Sequence, residues 1–213
     1  GYKMVIIMPS NMSEERKNMF RFYGAELIEV EEGDFDGAIT LRDGICSKNG
    51  WFNCNQFHNQ LNIDAHYMGT GPEIYNQFKD ANEIRECMPD VFLVGTGTGG
   101  TLMGVDRFLK EMWPKMKTVA AVMSGGEPGL HGIQGIGDGS KFLVDLDKVD
   151  EVRVVSTECA KKCARHLAKK HGLFVGISAA ANVFSAFQWL RDNDKNNAIT
   201  ILCDRGERYF SCL

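Results

Sequence analysis

Along this chain, short continuous apolar runs alternate with longer segments whose apolar positions recur every three or four residues. Met4–Met8 (MVIIM) is a run of strand length, and Glu26–Val30, Val91–Val94, Thr118–Val122, Val152–Val155 and Ala198–Cys203 are others. Runs this short, rich in Val and Ile and bounded by turn residues, predict strands buried in a sheet. The segments between them predict helices. Ser13 stands where it can cap a helix opening Glu14-Glu15, with acids in the first turn where the dipole favours them, and Gly24 stops it. Further helices are expected from Asp36 to about Lys48, ended by Gly50, and from Gly71 to Glu86, with Pro72 near the first turn. Another runs from Thr101 to Met112 and is stopped by Pro114; one more is capped by Thr157, and the last starts near Ser178. The Asn- and Gln-rich stretch Asn53–Asn62 and the Gly-rich stretch Ser124–Ser140 read as loops.

Repeated β–α alternation predicts an α/β fold, a mostly parallel sheet with helices on both faces. The loop at 53–62 is the best boundary, dividing residues 1–57 from a larger unit at 58–213. The length of 213 residues permits one large domain or two small ones, since a domain usually has about 150 residues.

Composition narrows the function classes. Twenty-four Lys+Arg against 28 Asp+Glu leave a net charge of −4, which argues against a nucleic-acid partner, whose binding faces carry a basic excess. The apolar share of 44% excludes a disordered chain. The longest apolar runs fall far short of the ~18 residues a membrane span needs, and no Lys/Arg-led signal peptide opens the chain. A cytoplasmic protein without a membrane partner is expected. The seven Cys (46, 54, 87, 159, 163, 203 and 212) are odd in number and form no CxxC pair, and the five His form no HExxH. Free thiols and no metal site are therefore expected. The chain opens Gly1-Tyr2-Lys3 with no initiator Met and enters a strand at once, so residues upstream are expected.

The strongest local signal follows the strand Val91–Val94: Gly95-Thr96-Gly97-Thr98-Gly99-Gly100-Thr101, then a helix. A helix N-terminus presents N–H groups with no intrahelical partner and a positive dipole end, so it favours anions. Glycines let the backbone close on the anion and Thr hydroxyls add donors; a phosphate cradle is the reading. Gly95-x-Gly97-x-x-Gly100 also satisfies the dinucleotide fingerprint, but that needs an acid ending the next strand. Here the strand ends Met123-Ser124-Gly125-Gly126, and the doubled Thr suits one phosphate monoester better than a pyrophosphate. Gly176-Ile177-Ser178-Ala179-Ala180 is placed like a hydrolase nucleophile elbow, yet no His follows His171, so Ser178 reads as a helix cap.

Other segments join this loop in a pattern. His131-Gly132-Ile133-Gln134-Gly135-Ile136-Gly137 resembles the HKIQGIG segment of cysteine synthases, and Thr70–Ile74 resembles their TGPEI. Gln56-Phe57 falls where they have QF, Gly176-Ile177-Ser178 resembles GISSG, and Gly206–Tyr209 is their GERY. Met8-Pro9-Ser10-x-Met12-Ser13-x-Glu15-Arg16 is similar to their MPxxMSxER run. Order and spacing agree from Gly1 to Ser211, so the chain resembles the fold-type II pyridoxal-phosphate enzymes, in the cysteine synthase branch.

The resemblance implies two three-layer α/β domains with mostly parallel sheets, the cofactor between them, and a homodimer. It places the cofactor phosphate in the cup of Gly97, Thr98, Gly99, Gly100 and Thr101, Gln56 on the carboxylate of a small amino-acid substrate, and Gly135 on the loop lining the amino-acid site. Asp204 occupies the position facing the pyridine nitrogen, which is Ser in many relatives; the other reading is an Asp204–Arg205 pair at a strand end. The implied reaction removes the α-proton of a cysteine or an O-activated serine, expels the β-substituent to leave an aminoacrylate, and adds a nucleophile. Asp138, after the GIG run where relatives have a small residue, reads either as a base favouring release of hydrogen sulfide from cysteine, giving serine or lanthionine, or as a solvated turn Asp. The family's Schiff-base lysine and TSGNTG loop precede the MPxxMS segment, and neither stands in this sequence; Lys3 matches an ordinary lysine. The chain alone is therefore not expected to turn over: it is a fragment of a longer enzyme or a lysine-less relative serving as a binding or regulatory partner.

Overall fold

The computed structural model of the chain describes residues 1–81, 87–123, 133, 136–137 and 142–212. Two parallel sheets organise it. Strands β1 (Val5–Pro9) and β2 (Glu26–Val30) pair in parallel from Val5 opposite Glu26 to Pro9 opposite Val30. Helix α1 (Glu14–Phe22) connects them, and α2 (Phe35–Asn49) follows β2. Asp34 caps α2 by accepting the Gly37 N–H at 2.7 Å, and Gly50 ends it in the left-handed conformation. In α1 the cap position is Ser13, as the pattern predicts, but its buried Oγ has no hydrogen-bond partner. That helix is held instead by Lys17, whose buried ammonium reaches Glu29 at 2.7 Å, Glu14 at 3.1 Å and the Ser10 carbonyl at 2.6 Å. The bond from Glu29 outweighs the penalty of burial and raises the Lys17 pKa above its ordinary value.

The second sheet contains β3 (Val91–Gly95), β4 (Lys117–Met123), β5 (Glu151–Val155) and β6 (Ala198–Thr200), in the spatial order β5-β4-β3-β6, all parallel. Its centre is apolar on both faces, which is why β3 reads as an unbroken apolar run. Phe92 and Val94 point to one side, against Leu102, Val105 and Leu109 of α5 (Gly100–Met112). Val91 and Leu93 point to the other, against Ala186 and Trp189. These last belong to α7 (Ile177–Asp192), which packs beside α6 (Thr157–His171). The cap of α6 is Ser156, whose Oγ accepts the Cys159 N–H at 3.2 Å; Thr157 is already helical.

One helical run departs from the expected loop. Residues 53–60 are irregular, but α3 (Leu61–Ala65), a π-helical turn (His66–Thr70) and α4 (Gly71–Ala81) follow without a break. The helix expected from Gly71 begins there, but it is preceded by helix and not by loop. In the fold the wide turn absorbs the irregularity, with Gly71 N–H donating to the His66 carbonyl. Gly71 and Gly104 let this run lie directly on α5: a Cβ on Gly71 would meet Phe108 at 2.7 Å, and one on Gly104 would meet the Ile63 carbonyl at 2.3 Å.

From β3 the chain steps outward through β4 to β5, then returns to pair β6 on the other side of β3. The carboxyl ends of β3 and β6 therefore flank the point where strand order reverses, the place where open α/β sheets form a crevice. The two sheets meet through α1, whose Glu15 accepts the Ser211 N–H and hydroxyl, each at 2.8 Å. Leu109 is fully buried between α5 and the sheet; replacing it with Ala should cost about 2–5 kcal/mol in urea unfolding, with no change in the spectrum of any bound group.

Candidate functional site

Beyond Leu93 and Thr200, the last paired residues of β3 and β6, the two strands part. Asn182 of α7, 1% exposed, fills the gap. Its Oδ1 accepts the Gly95 N–H at 2.8 Å and its Nδ2 donates to the Ile201 carbonyl at 2.9 Å. A side-chain amide thus satisfies both backbone groups that the ladder leaves unpaired. The crevice opens above it.

One wall is the glycine loop. Thr96 is fully buried, and its N–H donates to the Ala121 carbonyl at 3.1 Å. Gly99 takes a φ of +93°, a conformation L side chains rarely adopt, and a Cβ there would lie 2.6 Å from the Val144 nitrogen. A Cβ on Gly100 would lie 2.0 Å from Asn62 Oδ1. The first bond of the α5 ladder is Met103 N–H to the Gly99 carbonyl at 3.0 Å, so the N–H groups of Gly100, Thr101 and Leu102 precede it. Together with the dipole of α5, the loop is a cradle for an anion.

The loop is braced by α3 and the π-helical turn. Asn62 Nδ2 donates to Thr98 Oγ1 at 3.0 Å and to the Gln56 carbonyl at 2.9 Å, which brings the exposed Gln56 beside the cup. His66 bridges two threonines, Nε2 to Thr101 Oγ1 at 3.1 Å and Nδ1 to Thr70 Oγ1 at 2.9 Å. Burial pushes the His66 pKa below its ordinary value of 6.5, so the neutral imidazole is favoured. Neither Asn62 nor His66 stands out in the sequence, because each acts through a partner more than thirty residues away.

The other wall is the segment after β6. Asp204 Oδ1 accepts Ser178 Oγ–H at 3.2 Å, and Oδ2 accepts the Tyr209 hydroxyl. Ser178 therefore serves Asp204 and does not cap α7, whose cap position is Gly176 with no side-chain bond. Nor does Asp204 pair with Arg205, which binds Glu207 at 2.5 Å. Gly176 allows the approach, since a Cβ there would sit 2.2 Å from Asp204 Oδ1. Burial, then Asp204, raises the Tyr209 pKa far above its ordinary value, so the phenol stays protonated.

Gln56 and the glycine loop are thus joined through Asn62, and Asp204 lies on the segment that follows the neighbouring strand β6. Gly135 and Asp138 lie outside the described residues. Ile133, Ile136 and Gly137 of the same stretch are described: both Ile are buried, and Gly137 N–H donates to the Thr96 carbonyl at 2.6 Å. Among the described residues no helix is long and apolar enough to cross a membrane.

The profile of the family described as "Pyridoxal-phosphate dependent enzyme" matches residues 1–204. A cysteine synthase of Staphylococcus aureus (strain Mu50) is 37% identical, the match covering 99% of this chain and 69% of that protein. Among solved structures, a hydrogen sulfide-producing enzyme from Fusobacterium nucleatum is 36% identical with a TM-score of 0.88, covering 100% of this chain and 66% of the other. An O-ureido-L-serine synthase is 31% identical with a TM-score of 0.89, over 100% of this chain and 68% of the other. The chain spans about two thirds of the length of each.

Two outcomes follow from this geometry. Gly100→Ala should weaken pyridoxal phosphate binding several-fold in an absorbance titration, because the new methyl displaces Asn62 and removes its brace on Thr98. His66 is depressed by folding, so between 6.5 and its folded value the unfolded chain binds more protons and stability rises with pH. Its contribution is fully present above 6.5 and lost as pH falls through the folded value. Urea midpoints between pH 7.5 and 5 should therefore fall more steeply for the native protein than for His66→Gln.

Proposed function

The chain belongs to the pyridoxal-phosphate dependent enzyme family, as a cysteine synthase-like member, and on that premise we propose that it serves β-replacement or β-elimination at the β-carbon of cysteine or an O-activated serine. Pyridoxal phosphate is the cofactor of this family, and the residues present fit it. Gly99 and Gly100 press on Val144 and Asn62 with no room for a side chain, the N–H groups that open α5 would face the phosphate, and Asp204 offers a carboxylate on the segment after β6. When bound, the cofactor supplies the electron sink for charge developing at the substrate α-carbon.

The observation that carries the reading is the pairing of these two walls at the strand-order reversal. The N-terminus of α5 with Gly97–Thr101 would hold the phosphate, and Asp204 on the segment after the neighbouring strand would hold a proton at the ring nitrogen. Gln56, tied to the cup through Asn62, would bind the substrate carboxylate. Asp138 orients or deprotonates a water or thiol that adds at the β-carbon, which favours cysteine as substrate and hydrogen sulfide as product.

None of this chain's lysines is assigned to the Schiff base. Lys3 pairs with Glu26 at 3.1 Å on the outer sheet, and Lys17 is committed to Glu14 and Glu29. The Schiff-base lysine of this reading belongs to sequence preceding the MPxxMS segment, and a cytoplasmic homodimer is the assembly it expects.

The test is made on the cofactor-loaded protein carrying that lysine. Sulfide release from L-cysteine should fall at least tenfold in Asp138→Ala, while cysteine formation from O-acetylserine and sulfide falls less. Equal retention of both rates would remove Asp138 from the mechanism, and a protein that binds the cofactor yet performs neither reaction would be a non-catalytic relative.

A further inference from the structure

Helix α1 belongs to the two-stranded sheet, yet one of its side chains ends a hydrogen-bond chain that begins in the crevice. Arg16 Nη2 donates to the Tyr209 hydroxyl oxygen at 3.1 Å, and the guanidinium lies 5.9 Å from the centre of the same ring. Tyr209, 1% exposed, donates its hydroxyl to Asp204 Oδ2. Ser178 donates to Oδ1 at 3.2 Å.

The direction of this chain is forced. A guanidinium has donors only and keeps its charge at any working pH. With Arg16 donating to its oxygen, Tyr209 has one proton and one neighbouring carboxylate to receive it. Burial and the adjacent carboxylate keep that phenol protonated. Asp204 is therefore pinned at both oxygens by protein donors and can only accept.

We propose that Arg16 is a positioning residue for the cofactor: by holding the Tyr209 hydroxyl so that it donates to Asp204 it sets the orientation of the carboxylate that meets the ring nitrogen, and with it the electronic state of the bound ring. This rests on the reading of Asp204 as the partner of that nitrogen. In this proposal Arg16 acts only through Tyr209. Its route runs through Tyr209, in a segment separated from it by 193 residues.

Docking and relay are separable in the structure. Glu15, the neighbouring residue of α1, holds the C-terminal turn by accepting both the Ser211 N–H and hydroxyl at 2.8 Å, with no bond to Tyr209 or Asp204 among the described residues. A Glu15 variant loosens the docking and leaves the relay chemistry in place.

The experiment records the visible absorbance of bound pyridoxal phosphate, with far-UV circular dichroism to confirm folding. Arg16→Met and Tyr209→Phe should each move the band in the same direction by a comparable amount, and Arg16→Lys, which restores a cationic donor, should recover most of the shift. Arg16→Met added to Tyr209→Phe should move it no further, since members of one chain are not additive. Glu15→Gln should leave the band unmoved. Additive shifts, an unmoved band in Arg16→Met, or an equal shift in Glu15→Gln would overturn the relay. Asp204→Asn separates the two levels: a shifted band there with an unmoved band in Arg16→Met leaves the cofactor reading standing and sinks only the relay, whereas an unmoved band in Asp204→Asn sinks both. A folded Tyr209→Phe protein that still gives the native spectrum also overturns the proposal.

Discussion

The parting of β3 and β6 above Leu93 and Thr200 is the constraint on which the rest of the structure depends. Two parallel strands that stop pairing while still buried leave backbone groups that must be satisfied or will destabilise the fold. Asn182 satisfies one from each strand, the Gly95 N–H and the Ile201 carbonyl. Because the amide spans the gap, the chain can leave β3 in one direction and β6 in the other, and a crevice forms between them. The two walls differ in charge preference for simple reasons. One is a helix N-terminus lined by glycine and threonine, and the other ends in a carboxylate.

Glycine is concentrated here because the surrounding elements approach to backbone distance. At Gly99 the backbone is left-handed and pressed on Val144; at Gly100 it is pressed on Asn62; at Gly176 it is pressed on Asp204. These contacts also explain why α3 and the π-helical turn belong to the site although they carry no glycine-rich motif. Asn62 and His66 hold Thr98 and Thr101, so the cup is braced from outside by side chains whose own elements pack on α5. The same economy governs the opposite wall, where Ser178 and Tyr209 hold Asp204 and Arg16 holds Tyr209.

Much of the fold was legible from the chain. The apolar runs of β3 and β4 are buried on both faces, so their composition alone marks them as central strands of a parallel sheet. The helix pattern of α5 followed because Leu102, Val105 and Leu109 fall on one face. The misreadings were local. The helix expected from Gly71 is there as α4, but the loop expected over 53–62 gives way at Leu61 to a helical run that leads straight into it. Ser13, Thr157 and Ser178 looked like helix caps from residue type. The structure gives the capping bond of α6 to Ser156, leaves the Ser13 hydroxyl without a partner, and turns Ser178 toward a residue 26 positions later.

The sequence by itself determined the class of fold and the family resemblance, because each is carried by residues close together in the chain. Periodicity, a glycine run before a helix and short motifs are local properties. Only the tertiary structure decided what those residues do to one another. Whether Asp204 pairs with Arg205 or stands in a crevice depends on Arg205 finding Glu207 and on Tyr209 and Ser178 converging on the carboxylate. Whether Arg16 belongs to the outer sheet alone or also to the site depends on how α1 meets the C-terminal turn. Hydrogen bonds of this kind join positions far apart in sequence, and their partners are chosen by packing, which no local pattern encodes.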